Sequence, residues 1–273
     1  KDAFFSCASL RRVVLPPTLQ HLSRSSFYNC SKLREIDASL ADGLKTVEPL
    51  AFASCVALHK VLFAGNGGAL TALQNGAFEN CTLLRAVHVP STICKLGFAC
   101  FSKSGLIEVD LSETRLFLVE PHLFSWCASL RTAILPPSVV CIGKFAFANC
   151  KAMRSLSLSR TLTAVIGEHA FSSCSSLRTI FLPDSVSRIE HMAFFACHAL
   201  RSLRLPPGTN TVDITFVELA PTRVLASCET EFTFPIAGSH WQQQHDTGVL
   251  ATRVRTLPRA RRWRARALVA LLF

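Results

Sequence analysis

The sequence predicts a repeat solenoid, in which short coils stack on one another around a single shared core. Two observations predict it. A motif, Ala-Phe-x-x-Cys-x-x-Leu, returns in nine copies whose key Phe stands at 4, 27, 52, 78, 101, 124, 147, 171 and 194, so that successive copies lie 23 to 26 residues apart. After the motif Leu comes an alternation of apolar residues that closes on Pro, as in Val13-Val14-Leu15-Pro16, Ala133-Ile134-Leu135-Pro136 and Ile180-Phe181-Leu182-Pro183. A unit of about 23 residues cannot bury two apolar faces alone, but stacked units cover one another.

Each element follows from its residues. Ala-Phe-x-x-Cys-x-x-Leu supplies large and small apolar side chains for the interior, and five copies (at Phe4, Phe52, Phe78, Phe171 and Phe194) keep every slot. The copies at Phe27, Phe124 and Phe147 change one slot each, and the copy at Phe101 has Ser104 in the Cys slot and is one residue shorter, ending Ser104-Gly105-Leu106. The alternation in Val13/Leu15 or Ile180/Leu182 is the period of a half-buried strand. Pro at its end removes a ladder donor and stops it. A shorter apolar pair follows, such as Val139…Ile142 or Val186…Ile189, and the chain turns, often through Gly, into the next Ala-Phe. At about 4.8 Å per strand, nine coils make a strip roughly 40 Å long.

The unit Leu-x-x-Ile-x-Leu-Pro-x-x-Leu-x-x-Ile-Gly-x-x-Ala-Phe-x-x-Cys-x-x resembles the BspA-like class of leucine-rich repeats, and the resemblance covers residues 1–207. It implies a leucine-rich-repeat solenoid, right-handed and strand-rich, with a parallel β-sheet on one face and short helical turns and loops on the other. It also implies a binding surface rather than catalysis, since members of the class include microbial and protist surface proteins linked to adhesion. Fold transfers along such a resemblance more safely than function.

Outside the array, residues 208–250 are read as a degenerate repeat or a C-terminal cap, with Thr211–Phe216 as a candidate tenth coil. Residues 251–273 are a basic tail, read as a disordered terminus; a membrane-surface helix and the start of a membrane span are the alternatives. The chain starts inside a unit, and further repeats are expected before it.

Composition limits the function classes. Hydrophobic residues make up 49% and charged residues 17% of the chain, which is too apolar for a disordered protein. No apolar run approaches the ~18 residues of a membrane-spanning helix. The net charge of +11 is concentrated: residues 251–273 hold seven Arg and no Asp, Glu or Lys, leaving a net of +4 on residues 1–250. The body is only mildly basic.

Eight Cys share the motif slot (Cys7, Cys30, Cys55, Cys81, Cys127, Cys150, Cys174 and Cys197) and are read as small buried residues. Metal binding or disulfide pairing is the competing reading, but no CxxC spacing supports it. Cys94, Cys100, Cys141 and Cys228 lie outside the slot and form no framework. The position after the motif Leu is Arg in seven of nine copies, including Arg131, Arg154, Arg178 and Arg201 in four successive units. Stacked, these make one edge of the strand face. An anionic partner would exploit such a file, whereas a solvated edge of Arg stems over apolar surface is the plainer reading.

The outward strand positions run Arg12/Val14, Glu35/Asp37, Lys60/Leu62, Ala86/His88, Glu108/Asp110, Thr132/Ile134, Ser155/Ser157, Thr179/Phe181 and Ser202/Arg204. Ile134, Ser157, Phe181 and Arg204 are the candidate ligand-binding face. Their mixture suits a protein or an anionic glycan. No series of base-stacking aromatics appears, which disfavours nucleic acid.

His240-Trp241-Gln242-Gln243-Gln244-His245-Asp246 has no metal-site spacing, and with Cys228 nearby nothing orients a nucleophile and base. No catalytic residue, metal site or cofactor is expected. Asn29-Cys30-Ser31 and Asn80-Cys81-Thr82 match the N-glycosylation pattern, but both arise from the repeat slot and matter only in a secreted chain. The expectation is a non-enzymatic binding module for protein or glycan ligands within a surface or adhesion-type protein, extracellular or at the cell surface. The alternative is an intracellular scaffold of the same fold.

Overall fold

A computed structural model of the chain describes residues 1–65, 68–206, 209–211, 223–226 and 231–232. Nine coils, counted here by their key Phe from Phe4 to Phe194, stack in sequence order. Each contributes up to two strands. The longer ones are Arg12–Val14, Glu35–Ala38, Lys60–Phe63, Glu108–Asp110, Thr132–Ile134, Ser155–Ser157, Thr179–Phe181 and Ser202–Leu205. Paired long strands run parallel and in register, so that Arg12, Glu35 and Lys60 lie in one row and Ser155, Thr179 and Ser202 in another. Period two governs burial: Ala133 is buried between exposed Thr132 and Ile134, and Leu156 between exposed Ser155 and Ser157.

A second parallel ladder runs along another face, built from two-residue strands such as Thr46–Val47, Cys141–Ile142, Val165–Ile166 and Arg188–Ile189. The apolar pair after the Pro is therefore strand, a detail its brevity hides in the sequence. Beyond coil 9, Arg223–Ala226 adds to the long-strand sheet in parallel, and Glu231–Phe232 pairs antiparallel with it. The remainder of 208–250 and all of the tail 251–273 lie outside the described residues.

The third face carries the Phe turns. The resemblance implied short helical turns there; no helix occurs among the described residues. The reason lies in the backbone. In every coil the residues two before and two after the key Phe have left-handed φ, as at Ser25 and Asn29 around Phe27, or His122 and Trp126 around Phe124. Left-handed residues break a right-handed helix into successive turns. Around Phe27, the amides of Ser26, Tyr28 and Cys30 close turns within the coil, onto Ser23, Ser25 and Phe27 carbonyls. The amides between them, of Ser25, Phe27 and Asn29, instead cross to the Pro49, Ala51 and Ala53 carbonyls of the next coil. The same three crossings recur at each later interface, for example Phe145, Phe147 and Asn149 to Glu168, Ala170 and Ser172.

Crossings at this spacing bring the rings face to face. The nine key Phe form one continuous stack, with neighbouring centroids 4.9 to 5.8 Å apart and near-parallel planes. All are buried except Phe4 of the first coil.

The short unit leaves a mark. Gly105 passes so close to coil 4 that a Cβ there would sit 2.2 Å from the Thr82 carbonyl oxygen, so only Gly fits. Around it the ladders lapse: residues 85–89 form no strand, and Lys95–Leu96 does not pair with Leu118–Val119.

Two outcomes follow for stability. Phe147→Ala, which empties one position of the buried stack, should cost about 3–5 kcal/mol in denaturant melts. Gly105→Ala should cost about 1–3 kcal/mol through forced displacement of backbone, whereas Gly65→Ala, where a Cβ meets nothing within 4 Å, should stay close to wild type in the same melts.

Candidate functional site

The slot Cys are the simplest to place. From coil 2 onward they are buried, and each thiol donates to the carbonyl of the key Phe one coil back: Cys30 to Phe4 (3.0 Å), Cys55 to Phe27 (3.1 Å), Cys150 to Phe124 (3.2 Å) and Cys197 to Phe171 (3.1 Å). The slot thus needs a small side chain with an apolar body and a weak donor. At the short unit Ser104 takes the slot, and its hydroxyl lies 3.2 Å from Cys127 Sγ, whose proton goes to Phe101 O. Burial pushes the thiols up, to about 12 for Cys55 and Cys197 and about 11 for Cys127, so they remain protonated. Among the described residues every Cys is a free thiol, and no three His, Cys, Asp or Glu gather as metal ligands. Cys228 and the His240–Asp246 cluster lie outside the described residues.

The Arg file is solvent-exposed in every coil that has it. Its register is set by the backbone: the Arg178 amide donates to Arg154 O at 2.8 Å, and the Arg201 amide to Arg178 O at 3.2 Å. Arg131 stands one coil earlier, its amide on Ile107 O at 2.7 Å. Between coils 6 and 7 the long strands are neighbours without a hydrogen-bonded ladder. Beside the file lie the four outward residues. Ile134 is 52% and Phe181 58% exposed, and Ser157 and Arg204 are exposed. Ser157 pairs directly with Phe181 in register, while Ile134 pairs with Asp110 on its other side.

The two ends of this face differ in charge. In coils 1–3 the outward charges neutralise one another: Arg12 reaches Asp37 at 3.2 Å and Glu35 at 3.7 Å, and Lys60 reaches Glu35 at 2.8 Å. The Lys60 hydrogen bond holds Glu35 below the usual carboxylate range, and the Ser39 hydrogen bonds do the same for Asp37. In coils 6–9 the outward positions are uncharged up to Arg204. Among the described residues, no carboxylate lies within ion-pair distance of Arg131, Arg154, Arg178, Arg201 or Arg204.

A feature the sequence reading missed stands where the short strands turn into the Phe turns. Phe98, His122, Phe145, His169 and His191 form a second, shallower ring file: Phe98–His122 at 5.1 Å, His122–Phe145 at 4.9 Å, Phe145–His169 at 4.7 Å and His169–His191 edge-on at 6.1 Å. The signal was present as an aromatic or His two or three residues before the key Phe in five successive units. Lys144 lies over the Phe145 ring and pairs with Glu168 at 2.8 Å. His169 Nδ1 is buried without a hydrogen-bond partner. Burial holds His122 and His169 below the ordinary imidazole value, with Lys144 adding to it at both; Glu79 acts oppositely on His122, and Glu168 on His169.

With repeat, ladders and ring stack described, the fold defines a leucine-rich-repeat solenoid. The BspA type Leucine rich repeat region matches residues 1–120 and 118–218 in six copies, and the chain belongs to that family. No curated protein matches it. Among solved structures, a leucine-rich repeat protein from Bacteroides ovatus is similar at 18% identity and TM-score 0.67, over 80% of this chain and 60% of that one. A leucine-rich repeat protein of T. pallidum is similar at 23% identity and TM-score 0.54, over 62% of this chain and 78% of that one. At these identities the likeness concerns the fold. The chain spans about 60% of the Bacteroides ovatus protein's length in that comparison.

The imidazole file predicts a pH dependence. His122 and His169 bind protons more weakly in the folded chain than in the unfolded one, whose ordinary value is about 6.5. Stability should therefore be full above about pH 6.5 and fall as pH is lowered from there through the depressed folded values. Melting temperatures from pH 7.5 to 5 should show this slope. The double variant His122→Phe, His169→Phe, which keeps the rings without the titration, should flatten it.

Proposed function

We propose that the chain is a non-enzymatic recognition module whose ligand lies along the long strands of coils 6–9. Its ligand is a protein segment or an anionic glycan, and the module belongs to a surface or adhesion-type protein. One observation carries this reading: exposed Ile134 and Phe181 stand in a Ser/Thr-lined, otherwise uncharged strip beside a file of Arg side chains with no neighbouring carboxylate among the described residues. Exposed apolar side chains rimmed by polar groups mark interaction surfaces. Arg is a preferred interface residue, and its planar fork suits carboxylate and sulfate groups. Coils 1–3, whose charges are satisfied among themselves, offer such a ligand less. The BspA-type repeat supports the surface assignment only through the resemblance stated above.

A second reading, an intracellular scaffold, draws on the thiol file. From coil 2 onward each slot Cys donates a hydrogen bond from its thiol to a carbonyl and must stay reduced to do so, a state that reducing compartments maintain. Both readings use the same face.

The test is a quadruple variant, Arg131, Arg154, Arg178 and Arg201 all to Ala, in the full chain. One exposed contact is worth little alone, so the four are removed together. Binding to heparin, and to any protein captured from a matrix array, should weaken on the order of tenfold to a hundredfold at low salt. The difference should shrink as salt rises, because exposed charges are screened within about 10 Å at 0.1 M. Unchanged binding with an unchanged circular dichroism spectrum would reduce the file to a solvated edge.

A further inference from the structure

On the face of the Phe turns, the residue after each key Phe forms a file of its own, which runs Phe5, Tyr28, Ala53 and Glu79 in coils 1–4. Phe5 and Tyr28 stack at 5.2 Å with planes 13° apart. Phe5 thus covers one face of the Tyr28 ring, and the other face looks along the stack toward coil 3. There the file drops to Ala53, which is buried. The next large side chain is Glu79, two coils beyond Tyr28, and the key Phe rings beneath set each of those steps at 5.4 Å. One step is the depth of a stacked ring, as the Phe5–Tyr28 pair shows. The gap over Ala53 belongs to a shallow depression of about 510 Å³, bounded by Tyr28, Leu50, Ser54, Glu79, Asn80 and Lys103.

We propose that this gap is a subsite for one ring of a neutral glycan, stacked on Tyr28 and separate from the Arg file of the strand face. Leu50 lies across the turn of coil 4, where Gly76 leaves room for it: a Cβ at Gly76 would sit 2.6 Å from Leu50 Cδ2. It gives the depression an apolar floor beside Ala53. On the rim, Asn80 Nδ2 donates to Ser54 Oγ at 3.5 Å. The second amide hydrogen, the amide oxygen and the Ser54 hydroxyl hydrogen are left for a ligand's hydroxyls. The same pairing, Asn29 Nδ2 to Ser6 Oγ at 3.1 Å, continues the rim beside Tyr28. At the far end Lys103 Nζ donates to the Glu79 carboxylate at 3.2 Å.

Charge selects the ligand class. Glu79 and Lys103 neutralise each other, so the depression calls for neither a cation nor an anion. An apolar side chain from a protein would fill the gap, but it would cover Ser54, Asn80 and Glu79 without bonding them, and covered polar groups left unpaired are costly. A pyranose satisfies both kinds of surface. Its C–H face lies on the electron-rich face of the Tyr28 ring. Its hydroxyls, each donor and acceptor, reach the amide, hydroxyl and carboxylate around it. An apolar wall with a few placed polar groups is the usual make-up of a small-ligand site.

The chain has one Tyr, so a ring-labelled Tyr reports on this site alone. The probes are four neutral oligosaccharides: cellotriose, mannotriose, galactotriose and triacetylchitotriose. At least one should shift the Tyr28 ring NMR signals in the full chain, with a Kd on the order of millimolar, as befits a single ring with few contacts. Choline and a sulfated heparin disaccharide should leave those signals in place. Tyr28→Phe, followed by saturation transfer to the sugar, should bind within about threefold of wild type. Ala53→Phe continues the ring file into the gap, and Asn80→Gly keeps the left-handed turn without the amide. Each should weaken binding at least about tenfold with an unchanged circular dichroism spectrum. Tyr28 signals that stay in place with all four sugars at about 20 mM overturn the proposal. Undiminished binding by Ala53→Phe or Asn80→Gly overturns it as well, and so does an equal or larger response to either charged probe.

Discussion

Everything in this molecule depends on the direction of three backbone amides around each key Phe. Placing left-handed residues on both sides of the Phe turns alternate N–H groups out of the coil and onto the next, and so fixes the coil-to-coil spacing on that face. The ring stack, the thiol-to-carbonyl bonds and the register of the outward rows are all downstream of that spacing. A left-handed non-Gly residue costs about 1–2 kcal/mol; most coils carry two, coil 4 only Asn80 beside Gly76, and in coils 1–8 each of these residues brings an inter-coil bond with it.

The repeat, its phase and its strand period were legible because they rest on side-chain burial, which writes itself into residue type. Phe124, Cys127, Leu130 and Ala133 had to be apolar, and they are. The turn backbone left only a partial trace, in Asn29, Asn80, Asn149 and Gly76. Gly and Asn are the usual marks of left-handed φ, yet Leu50, Trp126, Phe145, His169 and Met192 occupy it here. The short helical turns came from the family resemblance alone, and these residues gave nothing to correct it. The two-residue strands escaped notice for another reason: a run so short has no period to read.

The candidate face was legible as a list of outward positions but not as a charge pattern. Arg12, Glu35, Asp37 and Lys60 could be named from the strand phase, whereas their mutual neutralisation needed the register that puts Arg12 against Glu35 and Lys60 beyond it. The same register leaves the Arg residues of coils 7–9 beside Ser and Thr. One strand face thus divides into a self-satisfied half and a half whose charges look outward.

The short unit at Phe101 has a mechanical consequence. In a stack where each coil touches only its neighbours, stability is a sum of local and nearest-neighbour contributions. At this unit the short-strand ladder is interrupted and the long strand of coil 4 is missing, and the ring spacings on either side, 5.6 and 5.8 Å, are the widest in the stack. Without its ladders this interface is held by the three Phe-turn crossings and by the amides of Gly105, Ile107 and Arg115 on the carbonyls of Cys81, Arg85 and Ile93, which makes it a thinner seam than its neighbours. A load along the rod would therefore fall hardest on the coil 4–coil 5 interface at Gly105, where the fewest ladder bonds share it.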